Sequence, residues 1–309
     1  MQRPKISIIG AGNVGATAAH LTALKELGDV VLLDIMEGVP QGKALDMNES
    51  RPVERIDLKI IGTNDYEDIR DSDVVVVTAG LPRKPGMSRD DLLAKNSEIV
   101  FSVCSNVKKY APDCILIVVS NPLDAMVGVA AKATGFSKKK IMGMAGILDS
   151  TRFAYFIAEE ANVSVENVNT LVLGGHGDQM IPLVKYASIS GIPLSKFLSK
   201  EKIEKIVERT KKGGAEIVGL LKTGSAYYAT GSAIVEMVCA IIKDKKKILP
   251  CAAYLNGEYG ANGVFIGVPV KLGKDGIEEI IEIELDDEEK KSFSKNVEHV
   301  KELMSKVRV

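Results

Sequence analysis

The sequence predicts a doubly wound parallel α/β sheet followed by a smaller mixed α+β half. Three observations carry that prediction. Short β-branched runs alternate with helix-period segments from residue 4 to about 144. A glycine-rich turn, Gly10-Ala11-Gly12-Asn13-Val14-Gly15, joins the first run to the first helix. Beyond that region, longer helices and one pair of strands replace the alternation. The predicted domains are 1–144 and 145–309.

Taken in order, the first strand is Lys5-Ile6-Ser7-Ile8-Ile9, followed by the glycine turn and a helical stretch from Ala16 to Leu27. The second strand, Val30-Val31-Leu32-Leu33, ends in Asp34. A lone G-x-G-x-x-G is weak evidence. Between a strand and a helix, with a carboxylate closing the next strand, it is specific for a dinucleotide site of the Rossmann type. Gly10 makes the tight turn, Gly12 lets the backbone approach a pyrophosphate, and Gly15 lets helix and strand pack closely. The pyrophosphate meets free N–H groups and the positive end of the helix dipole. Asp34 suits ribose hydroxyls and repels a 2′-phosphate, so the expected cofactor is NAD.

A helix around Gly38 to Asn48 and strands Leu58–Ile61 and Asp73–Thr78 follow. Next comes the loop Gly80-Leu81-Pro82-Arg83-Lys84-Pro85-Gly86-Met87-Ser88-Arg89. Its prolines and glycines exclude helix and strand interiors, and its cations equip it to close over an anion. Ser88 and Asp91 form a capping box for the helix Asp90–Tyr110 and leave Arg89 as the first helical residue. A cation there opposes the helix dipole at a cost of about 0.3–1 kcal/mol, which suggests that the charge serves a ligand. Asn96 is the polar exception in that helix's apolar stripe. Strand Cys114–Val119 runs into Ser120-Asn121-Pro122-Leu123-Asp124. Ligands of such sheets bind beyond the carboxyl ends of the strands, so Gly10, Asp34, Thr78 to Arg89 and Val119 to Asn121 share one rim.

In the second half, a helix from Ile147 to Ala161 carries Asp149 and Arg152 at i,i+3, a spacing that also suits a plain surface ion pair. A strand Asn169–Leu173 leads into Gly174-Gly175-His176-Gly177-Asp178. Glycines on both sides of His176 favour its presentation to a site, whereas His20 and His299 read as helix-surface residues. A long helix through Ile203 to Leu221 is expected to bend at Gly213-Gly214. The helix Ala229–Ile242, antiparallel strands Ile248–Leu255 and Val264–Leu272, and a C-terminal helix with the stripe Phe293, Val297, Val300, Leu303 and Met304 complete the chain.

Composition narrows the function classes. Of 309 residues, 46% are hydrophobic and 26% charged, with net charge −1. There is no basic excess for nucleic acid and no apolar run of membrane-spanning length. With only Met1 to Arg3 before the first strand, no targeting segment is expected. Cys104, Cys114, Cys239 and Cys251 are too far apart for a metal or redox motif and read as buried thiols in a reducing cytoplasm. No metal is expected.

These motifs together resemble the lactate/malate dehydrogenase family, and most closely the bacterial malate dehydrogenases of lactate-dehydrogenase type. The resemblance covers about residues 4 to 307. It is carried by Gly-Ala-Gly-Asn-Val-Gly at 10–15, Leu-Pro-Arg-Lys-Pro-Gly-Met-Ser-Arg at 81–89, Ser-Asn-Pro-Leu-Asp at 120–124, Leu-Asp-Ser-Thr-Arg at 148–152 and Gly-Gly-His-Gly-Asp at 174–178. It implies a reversible NAD-dependent oxidation of (S)-malate to oxaloacetate, a step of the tricarboxylic acid cycle, in a cytoplasmic homodimer or homotetramer. It implies that His176 is the general acid/base, oriented by Asp149. Arg152 would bind the C1 carboxylate, Arg89 would polarise the reacting carbonyl, Asn121 would bond substrate and cofactor, and Arg83 would bind the distal carboxylate. Gly10, Ala11, Gly12, Asn13, Val14, Gly15, Asp34, Asn96, Val119, Ser120 and Asn121 would line the NAD site.

The residue types suit that chemistry. Two arginines balance a dicarboxylate, and a histidine moves a proton near neutral pH. The chain departs from related malate enzymes at Thr230-Gly231, where Pro-Ser is common. The small Ala229 is expected to leave room for an acid larger than pyruvate. The rival readings are a lactate dehydrogenase, which would carry an uncharged residue at position 83, an NAD-using glycosidase, which needs a metal-ligand cluster, and an NAD-sensing binding protein, which needs no His176, Asp149, Arg152 and Arg89 together.

Overall fold

Residues 3–82 and 88–309 are described by a computed structural model. In the first half, β1 (Lys5–Ile9), β2 (Asp29–Leu33), β3 (Ile60–Thr63), β4 (Val74–Val77), β5 (Ile115–Val118) and β6 (Ile141–Gly143) pair in parallel in the order β3-β2-β1-β4-β5-β6. The helices are α1 (Asn13–Leu24), α2 (Val39–Glu54), α3 (Arg89–Tyr110) and α4 (Leu123–Thr134). The apolar strands follow from burial on both faces. Ile6, Ile8, Val30, Leu32, Val74 and Val76 face one core, while Ile9, Val31, Leu33, Val75 and Val77 face the other. Strand order reverses beside β1, and there the carboxyl ends of β1 and β4 open a crevice for a ligand.

The second half contains α5 (Gly146–Ala161), β7 (Val168–Asn169), β8 (Val172–Leu173), β9 (Ile181–Pro182), β10 (Ser188–Ile189), β11 (Ile192–Pro193), α6 (Lys200–Leu221), α7 (Tyr228–Ile242), β12 (Lys247–Asn256), β13 (Asn262–Gly273), β14 (Gly276–Ile280) and α8 (Asp287–Ser305). β12 pairs antiparallel with β6 at Ala252 and Gly143, so one sheet runs on through β12-β13-β14. The second half therefore extends the first sheet as well as packing against it. Among the described residues no helix is long and apolar enough to cross a membrane.

Three local expectations change. The single strand expected at 169–173 is two, because β7 pairs with β10 while β8 pairs with β9. Ser150 of α5 fixes the switch: its carbonyl accepts from Thr170 Oγ1 at 2.7 Å and its hydroxyl from the Val172 N–H at 3.0 Å. β3 starts at Ile60 rather than Leu58. α6 is one unbroken helix through Gly213-Gly214. The missing side chain at 213 serves packing, since a Cβ there would lie 2.2 Å from Arg152 Cδ.

Candidate active site

The first wall is the glycine turn. Gly10 sits at φ +110°, and a Cβ on it would stand 2.6 Å from Thr78 Oγ1. A Cβ on Gly15 would meet the Gly10 carbonyl oxygen at 1.8 Å, so only glycine lets α1 pack this closely on β1. Nothing lies within 4 Å of a Cβ built on Gly12, and α1 has no side-chain cap. Its first N–H groups therefore face open space with the dipole behind them, a fit for a pyrophosphate. Asp34 accepts the Ala11 N–H at 2.6 Å and the Met36 N–H at 3.0 Å, so it braces the turn and stands at its edge. Lys43 of α2 reaches over to the Ala11 carbonyl at 2.6 Å, a brace with no sequence signature.

The second wall is the end of β5 with the root of the cationic loop. Asn96 is 1% exposed, and its amide is spent on backbone: Oδ1 accepts from the Leu81 N–H at 2.8 Å, and Nδ2 donates to Leu81 O at 3.2 Å and Asn121 O at 2.7 Å. The polar exception in the α3 stripe thus joins the loop root to the end of β5. Ser120 donates to Ala79 O at 2.6 Å. Asn121 is exposed beside it, and the Asn121–Pro122 bond is cis. The capping box at Ser88 and Asp91 forms in both directions, and Arg89 is the first helical residue. Arg83 and Lys84, and the side chain of Arg89, lie outside the described residues.

The third wall comes from α5, α6 and the loop after β8. Asp149 is 1% exposed and uses both oxygens: Oδ2 lies 2.9 Å from His176 Nδ1, and Oδ1 accepts from Arg152 Nη1 at 3.2 Å. This is a buried pair on the inner face of α5, not the surface pair its spacing also allowed. Asp149 accepts the Nδ1 proton, which leaves Nε2 for a ligand. Burial of the ring opposes its charge, but the Asp149 carboxylate, by charge and hydrogen bond, and Asp124 outweigh it. The His176 pKa is therefore raised above that of free histidine, against an opposing push from Arg152.

The glycine-flanked segment is held by backbone contacts that sequence reasoning missed. The Gly174 N–H donates to Gly267 O of β13 at 2.9 Å, the Gly175 N–H to Asn296 Oδ1 of α8 at 2.9 Å, and the His176 N–H to Asp124 Oδ2 of α4 at 3.1 Å. The only local hint was a carboxylate in the first turn of the very apolar α4. Asn296 gave none.

The walls enclose a cavity of about 540 Å³ that reaches from Gly12 and Asn13 past Asn96 and Ser120 to Arg152 and His176. Met144, Leu148 and Val218 give it an apolar lining, and Ala226, Tyr227 and Thr230 close the α7 side. Ala229, expected to make room for substrate, is instead exposed and outside the lining; Ala226 is the small residue there. Gly231 faces α1, where its Cβ would meet Thr17 Cγ2 at 2.7 Å, so that departure allows a close helix crossing. His20 is exposed on α1, and His299 lies on α8 away from the cavity.

Comparison with known proteins gives a consistent result. Residues 4–143 match the family model described as lactate/malate dehydrogenase, NAD binding domain, and residues 147–308 match lactate/malate dehydrogenase, alpha/beta C-terminal domain. The malate dehydrogenase of Heliobacterium modesticaldum is 59% identical over 305 residues, covering 99% of each chain. The crystal structure of Cryptosporidium parvum malate dehydrogenase superposes with TM-score 0.96 at 48% identity, covering 99% of this chain and 98% of that one. The lactate dehydrogenase of the same organism, complexed with lactic acid and nicotinamide adenine dinucleotide, superposes with TM-score 0.95 at 42% identity, covering 99% and 98%.

Proposed function

The chain belongs to the lactate/malate dehydrogenase family, and from that premise we propose how its residues divide the work. The activity is the NAD-dependent, reversible oxidation of malate to oxaloacetate. Lactate dehydrogenase is the less supported reading, since the full-length malate dehydrogenase relative is 59% identical and the lactate dehydrogenase structure 42%. We assign residues 1–144 to NAD and 145–309 to substrate and catalysis.

One observation carries the assignment of roles: the Asp149 carboxylate holds His176 and Arg152 together on the wall of the cavity that starts at the glycine turn. In malate oxidation, His176 Nε2 takes the proton of the C2 hydroxyl. Asp149 fixes the tautomer and stabilises the imidazolium. Arg152 offers a planar fork to the C1 carboxylate, and the exposed Asn121 amide bonds the C2 oxygen. Arg83 pairs with the distal carboxylate and Arg89 with the developing charge at C2. NAD, when bound, supplies the hydride acceptor. Gly12 and Asn13 hold its pyrophosphate by backbone N–H groups, and Asp34 its adenosine ribose. Apolar lining by Met144, Leu148 and Val218 keeps water from the reacting carbon.

The expected setting is the cytoplasm, which suits four buried free thiols. The expected assembly is a homodimer or homotetramer. Leu45 and Val53 on α2 and Tyr228 on α7 are exposed at 61, 81 and 71%, and α2 and α7 flank a common cleft. Light scattering on the purified protein reads the assembly directly.

Steady-state NADH oxidation with oxaloacetate and with pyruvate tests the function. A large preference for oxaloacetate is expected, because a closed-in Arg83 without a partner disfavours pyruvate. Comparable kcat/KM for the two acids would overturn the role of Arg83. Full turnover in His176→Asn would overturn the acid/base assignment.

A further inference from the structure

We propose that Asp124 is a second positioning carboxylate for the acid–base step: from the start of α4 it ties down the backbone of His176 and supplies negative charge that favours the imidazolium. The inference rests on the acid/base role of His176 given above.

Asp124 is 6% exposed and lies in the first turn of a helix in which ten of the twelve residues are buried. An ionised carboxylate in such a place needs compensation. Among the described residues its Oδ2 has one donor, the His176 N–H at 3.1 Å, and its Oδ1 is buried without a hydrogen-bond partner. A carboxylate kept only for the fold would be satisfied at both oxygens, or replaced by an amide or apolar residue at little cost. The unspent oxygen leaves most of the charge uncompensated by local donors, and the cation available to it is the imidazolium of the residue whose N–H it holds.

Among the described residues, the charged groups facing the imidazole are few. α5 brings Asp149 and Arg152, and α4 brings Asp124. α8 contributes the neutral Asn296 amide and β13 only backbone. Asp178 is exposed farther along the loop. Arg152 shares Asp149 with the ring, which weakens the hold of that single carboxylate on the proton. The negative charge of Asp124, held at the backbone N–H of the same histidine, restores it. The titration properties agree: burial pushes the Asp124 carboxyl up to about 7, while the charge and N–H of His176 pull it down. Each group thus favours the charged form of the other.

Asp124→Asn separates the two jobs, because the amide oxygen still accepts the His176 N–H but carries no charge. The test is kcat/KM for oxaloacetate reduction against pH, with NADH binding by fluorescence and melting temperature measured in parallel. The expected result is unchanged NADH binding and a profile in which the pKa of the essential acid falls by about half a unit or more. Asp124→Ala removes the acceptor as well and is expected to lower kcat about tenfold or more, by freeing the loop. An Asn variant with an unmoved midpoint overturns the proposal, whatever its kcat, because a purely structural carboxylate would leave the midpoint in place. Should either variant fail to fold, the wild-type protein decides. It has three histidines, so the ring signals of His176 can be followed by NMR. The ring is expected to keep its proton above the range of free histidine, and loss of the proton within that range overturns the proposal. His176→Asn, run alongside, separates this outcome from failure of the acid/base assignment, since that variant must lose turnover in any case.

Discussion

Gly213→Ala offers a sharp test of how the fold presents Arg152, because it pits helix propensity against one contact. Alanine is better than glycine inside a helix by about 1 kcal/mol, so an isolated helix would gain stability. In the protein, the new Cβ would lie 2.2 Å from Arg152 Cδ, 2.8 Å from Nε and 3.2 Å from Cγ. Ordinary carbon contacts begin near 3.5 Å, so the arginine stem must withdraw by about 1 Å or more. Arg152 has little slack, with its side chain 11% exposed and its Nη1 held 3.2 Å from Asp149 Oδ1. Overpacking strain of about 1–3 kcal/mol should cancel or exceed the propensity gain. The larger effect should be on catalysis, because a misplacement of about 1 Å in a substrate-positioning group can lower rates about 10²-fold. Steady-state kinetics with oxaloacetate should show a higher KM and a kcat/KM reduced by about 10–10², while NADH affinity stays within about twofold. A variant with wild-type kcat/KM would refute the claim that Gly213 exists to seat Arg152.

Three further outcomes follow from the geometry. Asn96→Ala leaves the Leu81 N–H and the carbonyls of Leu81 and Asn121 without their partner, so a loss of about 2–4 kcal/mol is expected in urea denaturation, with a raised KM for NADH. Gly231→Ala drives a methyl against Thr17 and should separate α1 from α7, lowering the melting temperature by several degrees at about 2–4 °C per kcal/mol. The raised His176 pKa gives a signed pH dependence: kcat/KM for oxaloacetate reduction should fall as pH rises through it, and that for malate oxidation should rise. The same raised pKa contributes stability that is fully present below the unfolded-state value and lost as pH rises through the folded one, and Asp124 adds loss in the same direction between 3.8 and about 7. Melting temperature should therefore decline from pH 5 toward pH 8 in wild type and decline less in Asp124→Asn.

Local pattern sufficed for the sheet and the glycine turn. A strand buried on both faces must be apolar throughout, so Val74–Val77 and Ile115–Val118 declare themselves. The close approach of Gly15 to the Gly10 carbonyl follows from the short span between one strand and one helix. The capping box at Ser88 is equally local. Expectations went astray where a residue answers to something distant. Gly213 read as a bend because nothing beside it in sequence names Arg152. Ala229 and Ala226 look alike in sequence, but Ala226 in the segment before α7 lines the cavity while Ala229 in the first turn of α7 points away from it.

The sequence by itself determined the fold class and the dinucleotide turn, because each is written in spacing over a few residues, while the residues of a dicarboxylate reaction were named by the family resemblance. The family resemblance named Asp149 as the partner of the His176 ring, but tertiary structure alone decided how the backbone of that segment is held. The His176 ring meets an aspartate 27 residues away, the His176 N–H another 52 away, and the neighbouring Gly175 an asparagine 121 away. Hydrogen bonds of that range depend on how whole helices pack, and no periodicity within one helix records which buried donor its carboxylate will meet.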